Sequence, residues 1–211
     1  KKQYYRILSE FMLQQTQVKT VIPYFNNFVK KVPNLKALSK CSEKKILKLW
    51  EGLGYYRRVK NLHKTSKILT KKYNGQIPRS FEKLKELPGI GNYTANILLA
   101  LIYNQPRIAI DGNVKRVLFR LFNVNSSNEI NLFKTYRNGD LAEALIEFGA
   151  LVCKPKDPKC DECSIKKMCT YYSSDSKIKF KNKAKIQLKN YDIFCYLKKN
   201  ERQIALTKNN E

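Results

Sequence analysis

Four cysteines, Cys153, Cys160, Cys163 and Cys169, follow one another in the pattern C-x6-C-x2-C-x5-C. Soft thiolates crowded into one short loop can enclose a tetrahedral zinc ion or an iron–sulfur cubane, and the spacing by itself leaves both open. This is a ligand spacing rather than a dispersed disulfide framework, which favours a reducing compartment. A second candidate is LKELPGIGNYTANILLA, residues 84–100. A helix ending at Leu87, a Pro-Gly-Ile-Gly turn and a new helix from Asn92 would aim backbone N–H groups outward, where they can hold a phosphate oxygen. Gly89 and Gly91 would let that oxygen come close. Further on, Asp111 opens AIDGNVKRVLFRLF, and by residue type it is a good helix N-cap. Near the start, one acid, Glu10, is followed by the uncharged run Gln14, Gln15, Thr16 and Gln17 in a chain that is charged almost everywhere else.

The elements that must position these groups are helices. From residue 5 to about 153, SEKKILKLWEGLG, RRVKNLHKTSKILTKKY, SFEKLKELPG, NYTANILLALIY, NVKRVLFRLF and LAEALIEFGALVC each carry helical periodicity with a start or stop signal. Ser42 and Ser80 read as N-caps. The stretch LSEFMLQQTQVKTVIPYF, residues 8–25, sets Leu8, Phe11, Met12, Val18, Val21, Ile22 and Phe25 close to one helix face. The fold class expected is all-α, with residues 1–172 forming a helical domain that includes the cysteine loop 153–169. Residues 173–189 read as a basic linker. Residues 190–211 offer two short strand-like runs about a polar turn, enough for one β-hairpin but not for a stable sheet, so they read as the start of an incomplete second domain.

At 211 residues and 43% hydrophobic, the chain can bury a real core. Its 42 Lys+Arg against 17 Asp+Glu give a formal charge of +25, which points to a polyanionic partner such as nucleic acid. No apolar run approaches the roughly 20 residues needed to span a bilayer, so no membrane partner is expected.

The segments LSEFMLQQTQV, GLGYYRRVKNLHK, LPGIGNYTA and DGNVKRV, with the cysteine loop, occur in the order and approximate spacing of the MutY family of adenine DNA glycosylases. That family lies within the endonuclease III superfamily of helix-hairpin-helix DNA glycosylases, and the resemblance covers residues 4–172. It implies a 4Fe-4S cluster on the four cysteines, with structural zinc as the alternative. It implies double-stranded DNA with adenine opposite 8-oxoguanine or guanine as partner; a monomer is expected, and the compartment is bounded only as reducing and DNA-containing. Glu10 falls on the catalytic glutamate and Asp111 on the catalytic aspartate. Tyr93 stands where bifunctional relatives carry a Schiff-base lysine, which implies monofunctional hydrolysis.

The same resemblance sends Gln14, Gln15 and Thr16 into the duplex near the lesion, where neutral amides can hydrogen-bond base edges and a lysine would be costly to desolvate. Tyr55 corresponds to the tyrosine that wedges beside the oxidised base, and Glu143 to a residue contacting the amino group of the flipped adenine. Gly89, Gly91 and Asn113 join the DNA-binding set, and Lys154, Lys156 and Lys159 lie against the phosphate backbone. The hairpin at 190–211 would begin a Nudix-like recognition domain. The family's segment upstream of Glu10 is almost absent, and NVNSSNEINLFKTYRNGD is shorter than the resemblance leads one to expect. A thymine mismatch glycosylase of the same superfamily and a catalytically silent DNA-binding module are the alternatives.

Overall fold

The computed structural model describes residues 2–123 and 137–173, together with the backbone of 193–197 and 204–208. The shortened stretch after Asn123 and, beyond Ser173, the basic linker lie outside the described residues. The chain divides into two compact units, Lys1–Ile178 and Lys179–Glu211.

Helix α1 (Lys2–Leu13) buries Tyr4, Ile7, Leu8, Phe11 and Met12, an i, i+3, i+4 stripe that a helix must cover with protein. The apolar periodicity through residue 25 does not continue as one helix. The chain breaks at Gln14–Gln17, where Gln15 takes a left-handed φ of 57° and the Thr16 N–H donates to the Leu13 carbonyl at 3.2 Å. Helix α2 (Val18–Lys31) then buries Val21 and Phe28, while Val18 and Ile22, expected on the apolar face, are exposed.

The next helices start where short polar side chains cap them. Asn34 accepts from the Ala37 N–H at the start of α3 (Leu35–Lys40). Ser42 accepts from Lys45 at the start of α4 (Glu43–Trp50), and Ser80 from Lys83 at the start of α6 (Phe81–Lys85). Between the last two runs α5 (Arg57–Lys72). These helices and α7 (Asn92–Tyr103) enclose a core that includes Phe11, Phe28, Trp50, Leu62, Leu84 and Leu98, where each large apolar side chain contributes about 1.5–3 kcal/mol.

A second core forms between α8 (Gly112–Phe122) and α9 (Asn138–Leu151), from Val114, Val117, Leu118 and Leu145. Ile97, Ala100, Ala109 and Ala142 join the two, with Tyr93 packed against them. Helix α7 thus touches α1 on one side and α9 on the other. At Gly149 the approach of α9 to α8 is so close that a Cβ would fall 2.7 Å from Asn113 Cβ. A 3-10 turn at Lys166–Met168 and a last short helix, α10 (Thr170–Ser173), follow the cysteine loop. In the second unit β1 (Ile193–Leu197) pairs antiparallel with β2 (Ile204–Lys208), Ile193 opposite Lys208.

Candidate active site

Glu10 lies in the last turn of α1. Burial raises its carboxyl from the ordinary 4.5 to about 7; the Arg6 guanidinium opposes the rise and the Glu143 charge adds to it. Arg6 and Glu143 form an ion pair of their own, Nη1 to Oε1 at 2.5 Å, so much of the Arg6 charge is already answered. Tyr93 stands in the first turn of α7. Its hydroxyl is held well above the usual phenol range, first by burial and then by the charges of Glu10 and Asp111. One neutral phenol therefore lies within electrostatic reach of both carboxyl groups.

Asp111 is the N-cap of α8. Its Oδ1 accepts from the Val114 N–H at 2.7 Å and its Oδ2 from Asn113 Nδ2 at 3.3 Å. Asn113 is fixed in turn by the buried Arg116, whose Nη2 donates to Asn113 Oδ1 at 2.9 Å and to the Gly149 carbonyl at 2.7 Å. Arg116 Nε reaches the Cys153 carbonyl at 2.8 Å. The first cysteine of the loop and the Asp111 carboxylate are thus joined through two side chains.

The hairpin turn separates its two glycines. Gly89 has a φ of 82°, and a Cβ there would meet Phe11 Cε1 at 2.7 Å and Asn61 Cβ at 2.9 Å, so packing against α1 and α5 accounts for it. At Gly91 a Cβ would meet open space, and no side chain caps α7, which begins there. The N–H groups of the helix start thus have neither a capping side chain nor a Cβ at Gly91 in front of them, an arrangement that can receive an anion.

The glutamine-rich turn also divides. Gln14 Nε2 donates to the Gly89 carbonyl at 3.2 Å and Thr16 Oγ1 accepts from Arg58 at 3.0 Å, which leaves Gln15 as the exposed member of the three. Tyr55 is 60% exposed with a left-handed φ of 48°, so it is not a core tyrosine.

Cys153, Cys160, Cys163 and Cys169 line one cavity of about 30 Å³ with Phe148 and Arg120. Burial pushes the Cys160 thiol up, and Cys153 and Cys169 add to it. Arg120 closes the loop by donating to the Lys154 carbonyl at 2.6 Å, the Pro155 carbonyl at 3.1 Å and Cys153 Sγ at 3.5 Å. Among the described residues no group of three His, Cys, Asp or Glu side chains is gathered to hold a single metal ion. As a donor set, four soft thiolates around a cavity suit an iron–sulfur cluster.

Residues 8–137 match the HhH-GPD superfamily of base excision DNA repair proteins. The chain belongs to that superfamily. This HhH-GPD chain is 45% identical over 182 residues to an adenine DNA glycosylase of Buchnera aphidicola subsp. Baizongia pistaciae (strain Bp), across 82% of its own length and 52% of the relative's. It is 37% identical over 218 residues to the adenine DNA glycosylase of Buchnera aphidicola subsp. Schizaphis graminum (strain Sg), across 97% and 62%. It therefore spans between half and two thirds of these relatives. Its fold is similar to that of a thermostable thymine-DNA glycosylase, with a TM-score of 0.69 and 25% identity over 81% of this chain and 84% of that one.

Sequence reasoning missed the arginines that organise this HhH-GPD site. Arg58, Arg116 and Arg120 are all buried, and Arg6 pairs with Glu143 across 137 positions. A signal was present: most basic residues here are lysine, and arginine is required where a rigid fork must serve several acceptors.

Proposed function

We propose that the chain hydrolyses the N-glycosidic bond of adenine opposite 8-oxoguanine or guanine in duplex DNA. The observation that carries the reading is the partly buried Glu10, whose carboxyl is pushed up to about 7 by desolvation, with the Tyr93 phenol in reach of its charge and of that of Asp111. Adenine is a poor leaving group until it gains a proton, and a stacked duplex hides the bond, so the nucleotide must first be flipped out. Glu10 then gives its proton to adenine N7, and the C1′–N9 electron pair departs with the base. The sugar becomes oxocarbenium-like, and the Asp111 carboxylate stabilises it or bonds to C1′. Water adds at C1′, breaking any C1′–O bond to Asp111 and returning that electron pair to the carboxylate, and gives a proton back to Glu10. Tyr93 has no amine with which to form an imine, so the strand is left abasic and intact.

Glu143, steadied by Arg6, is assigned to the exocyclic amino group of adenine, and Gln15 and Tyr55 to the opposite base. Gln14, Thr16 and Asn113 support the DNA-facing surfaces, the hairpin turn at Gly89–Gly91 takes a phosphate, and Lys154, Lys156 and Lys159 face the backbone. Cys153, Cys160, Cys163 and Cys169 would hold a 4Fe-4S cluster, which when bound cross-links the loop and takes no part in hydrolysis. Zinc remains the alternative occupant. The hairpin of β1 and β2 is assigned to the opening of a Nudix-like module.

The likeness to a thymine-DNA glycosylase favours a second reading, thymine excision at mismatches. Glu10 speaks against it, because thymine has no N7 to protonate. Single-turnover excision on adenine:8-oxoguanine, adenine:guanine and thymine:guanine duplexes tests both. Free adenine from the first two is the expected result. Release from the thymine duplex alone reassigns the activity, and tight binding without release leaves a DNA-binding module. Strand scission with borohydride trapping overturns the role given to Tyr93.

A further inference from the structure

Two exposed tips, Gln15 and Tyr55, lie forty residues apart in sequence, and both are non-glycine residues in the left-handed region. Such a backbone costs about 1–3 kcal/mol and persists where surrounding contacts over-determine it. Gln14 Nε2 donates to the Gly89 carbonyl and Trp50 Nε1 to the Gly54 carbonyl, but among the described residues only one side chain contacts both loops. Arg58 Nη1 donates to the Met12 and Gln14 carbonyls, each at 2.6 Å, and to Thr16 Oγ1 at 3.0 Å. Arg58 Nη2 donates to the Leu53 and Gly54 carbonyls at 3.3 and 3.2 Å. Each terminal nitrogen of the guanidinium thus serves one of the two loops. The same group lies 5.2 Å from the Tyr55 ring centroid and 5.5 Å from that of Trp50. Its buried Nε has no hydrogen-bond partner, a cost that the side chain bears for the sake of its fork.

We infer that Arg58 is a positioning residue that locks the Gln15 turn and the Tyr55 loop into a single reader of the base opposite adenine. This rests on the proposed activity and adds to it the source of discrimination within the helical unit. A guanidinium suits the task because its planar fork is pre-organised and always charged; an ammonium is a point charge that cannot satisfy both loops at once. With both tips held before DNA arrives, the ordering cost of each is removed from the binding step.

The test measures Kd for adenine:8-oxoguanine and adenine:guanine duplexes in a Glu10→Gln background, so that DNA is not consumed. With Arg58 present, Gln15→Ala and Tyr55→Ala should each reduce the preference for 8-oxoguanine about tenfold or less, as single base contacts do. Arg58→Lys should reduce it as far as both together. Adding either tip substitution to Arg58→Lys should then change it by less than about twofold, the sign of a shared unit. A residue that merely stabilised the fold would lower Tm and leave each tip its full effect; that result overturns the inference.

Should Arg58→Lys fail to fold, Thr16→Val carries the test. It removes one acceptor on the glutamine turn and should shrink the effect of Tyr55→Ala on the other loop, whereas an unchanged Tyr55 effect overturns the coupling. Tips that contribute nothing in the parental background also overturn it. Failure of adenine release with contributing tips overturns the proposed activity alone.

Discussion

Glu10 and Asp111 are both carboxyls at helix ends, and their surroundings differ in every respect that bears on a proton. Glu10 sits in the last turn of α1, where the helix presents its carbonyl end and partial negative charge. Burial removes its water and drives the carboxyl up to about 7. Asp111 sits at the first turn of α8, the positive end, and receives a backbone N–H and the Asn113 amide. At Glu10 burial favours the acid; at Asp111 two donors fix the orientation of the carboxyl. These different settings fit the distinct roles proposed for the two carboxyls. Tyr93, which feels both charges, stays neutral between them.

The largest effect should follow from removing the acid. Glu10→Gln keeps the shape and loses the proton, so single-turnover excision should drop by about 10³-fold or more, within the range for general-acid catalysis. The same substitution should raise stability. The folded parent holds the Glu10 proton more tightly than the unfolded chain, so its stability falls as pH rises from 4.5 toward about 7. Gln cannot ionise, so thermal unfolding at pH 8 should show Glu10→Gln above the parent, with the gap closed at pH 4. A gap of the opposite sign would mean that Glu10 is not buried as described.

Asp111→Asn should come next, with a loss of about 10²–10³-fold in the same assay and little change in duplex affinity. Gln and Asn differ in what they test. At position 10 the missing element is a proton, and lowering the pH cannot restore it. At position 111 it is a negative charge, and the variant should keep the pH dependence set by Glu10.

Arg116→Lys should have a smaller effect, about tenfold in rate, because it acts through Asn113 on the Asp111 carboxylate. Its distinguishing readout is the pair of the cysteine loop and the active site. Since Arg116 also holds the Cys153 carbonyl, the iron and sulfide content of the purified variant should fall together with the rate. Loss of rate with full cluster content would confine the role of Arg116 to Asn113.

How much of this was legible in the sequence depends on the distance over which each feature is determined. The caps at Ser42, Ser80 and Asp111 are set by residues three positions away, and they were read correctly. The burial stripe of α1 is likewise local. The break at Gln14–Gln17 was missed because apolar periodicity runs straight through it, while the groups that fix it belong to Arg58, more than forty positions later. The exposure of Val18 and Ile22 follows from that break. Gly89 and Gly91 looked alike as glycines, and their different reasons became visible once Phe11 and Asn61 were placed beside one and open space beside the other.

The smallest effects test the sign of the electrostatics around Glu10. Arg6 lowers and Glu143 raises the Glu10 pKa, and the two are paired with each other. Arg6→Met removes the opposing cation and leaves Glu143 uncompensated, so both changes act upward. Glu143→Gln removes the supporting anion and frees Arg6, so both act downward. Since Glu10 works when protonated, the single-turnover rate of the parent should be level just below pH 7 and fall tenfold per unit above about pH 7. Arg6→Met should move that fall to higher pH and Glu143→Gln to lower pH, each by less than about one unit given the solvent exposure of the pair. At pH 8 the first should be a few-fold faster than the parent and the second a few-fold slower. Rates should converge at acid pH for Arg6→Met. For Glu143→Gln the convergence separates two roles: a rate that recovers in acid assigns Glu143 to tuning Glu10, and a deficit that persists there assigns it to holding the adenine amino group.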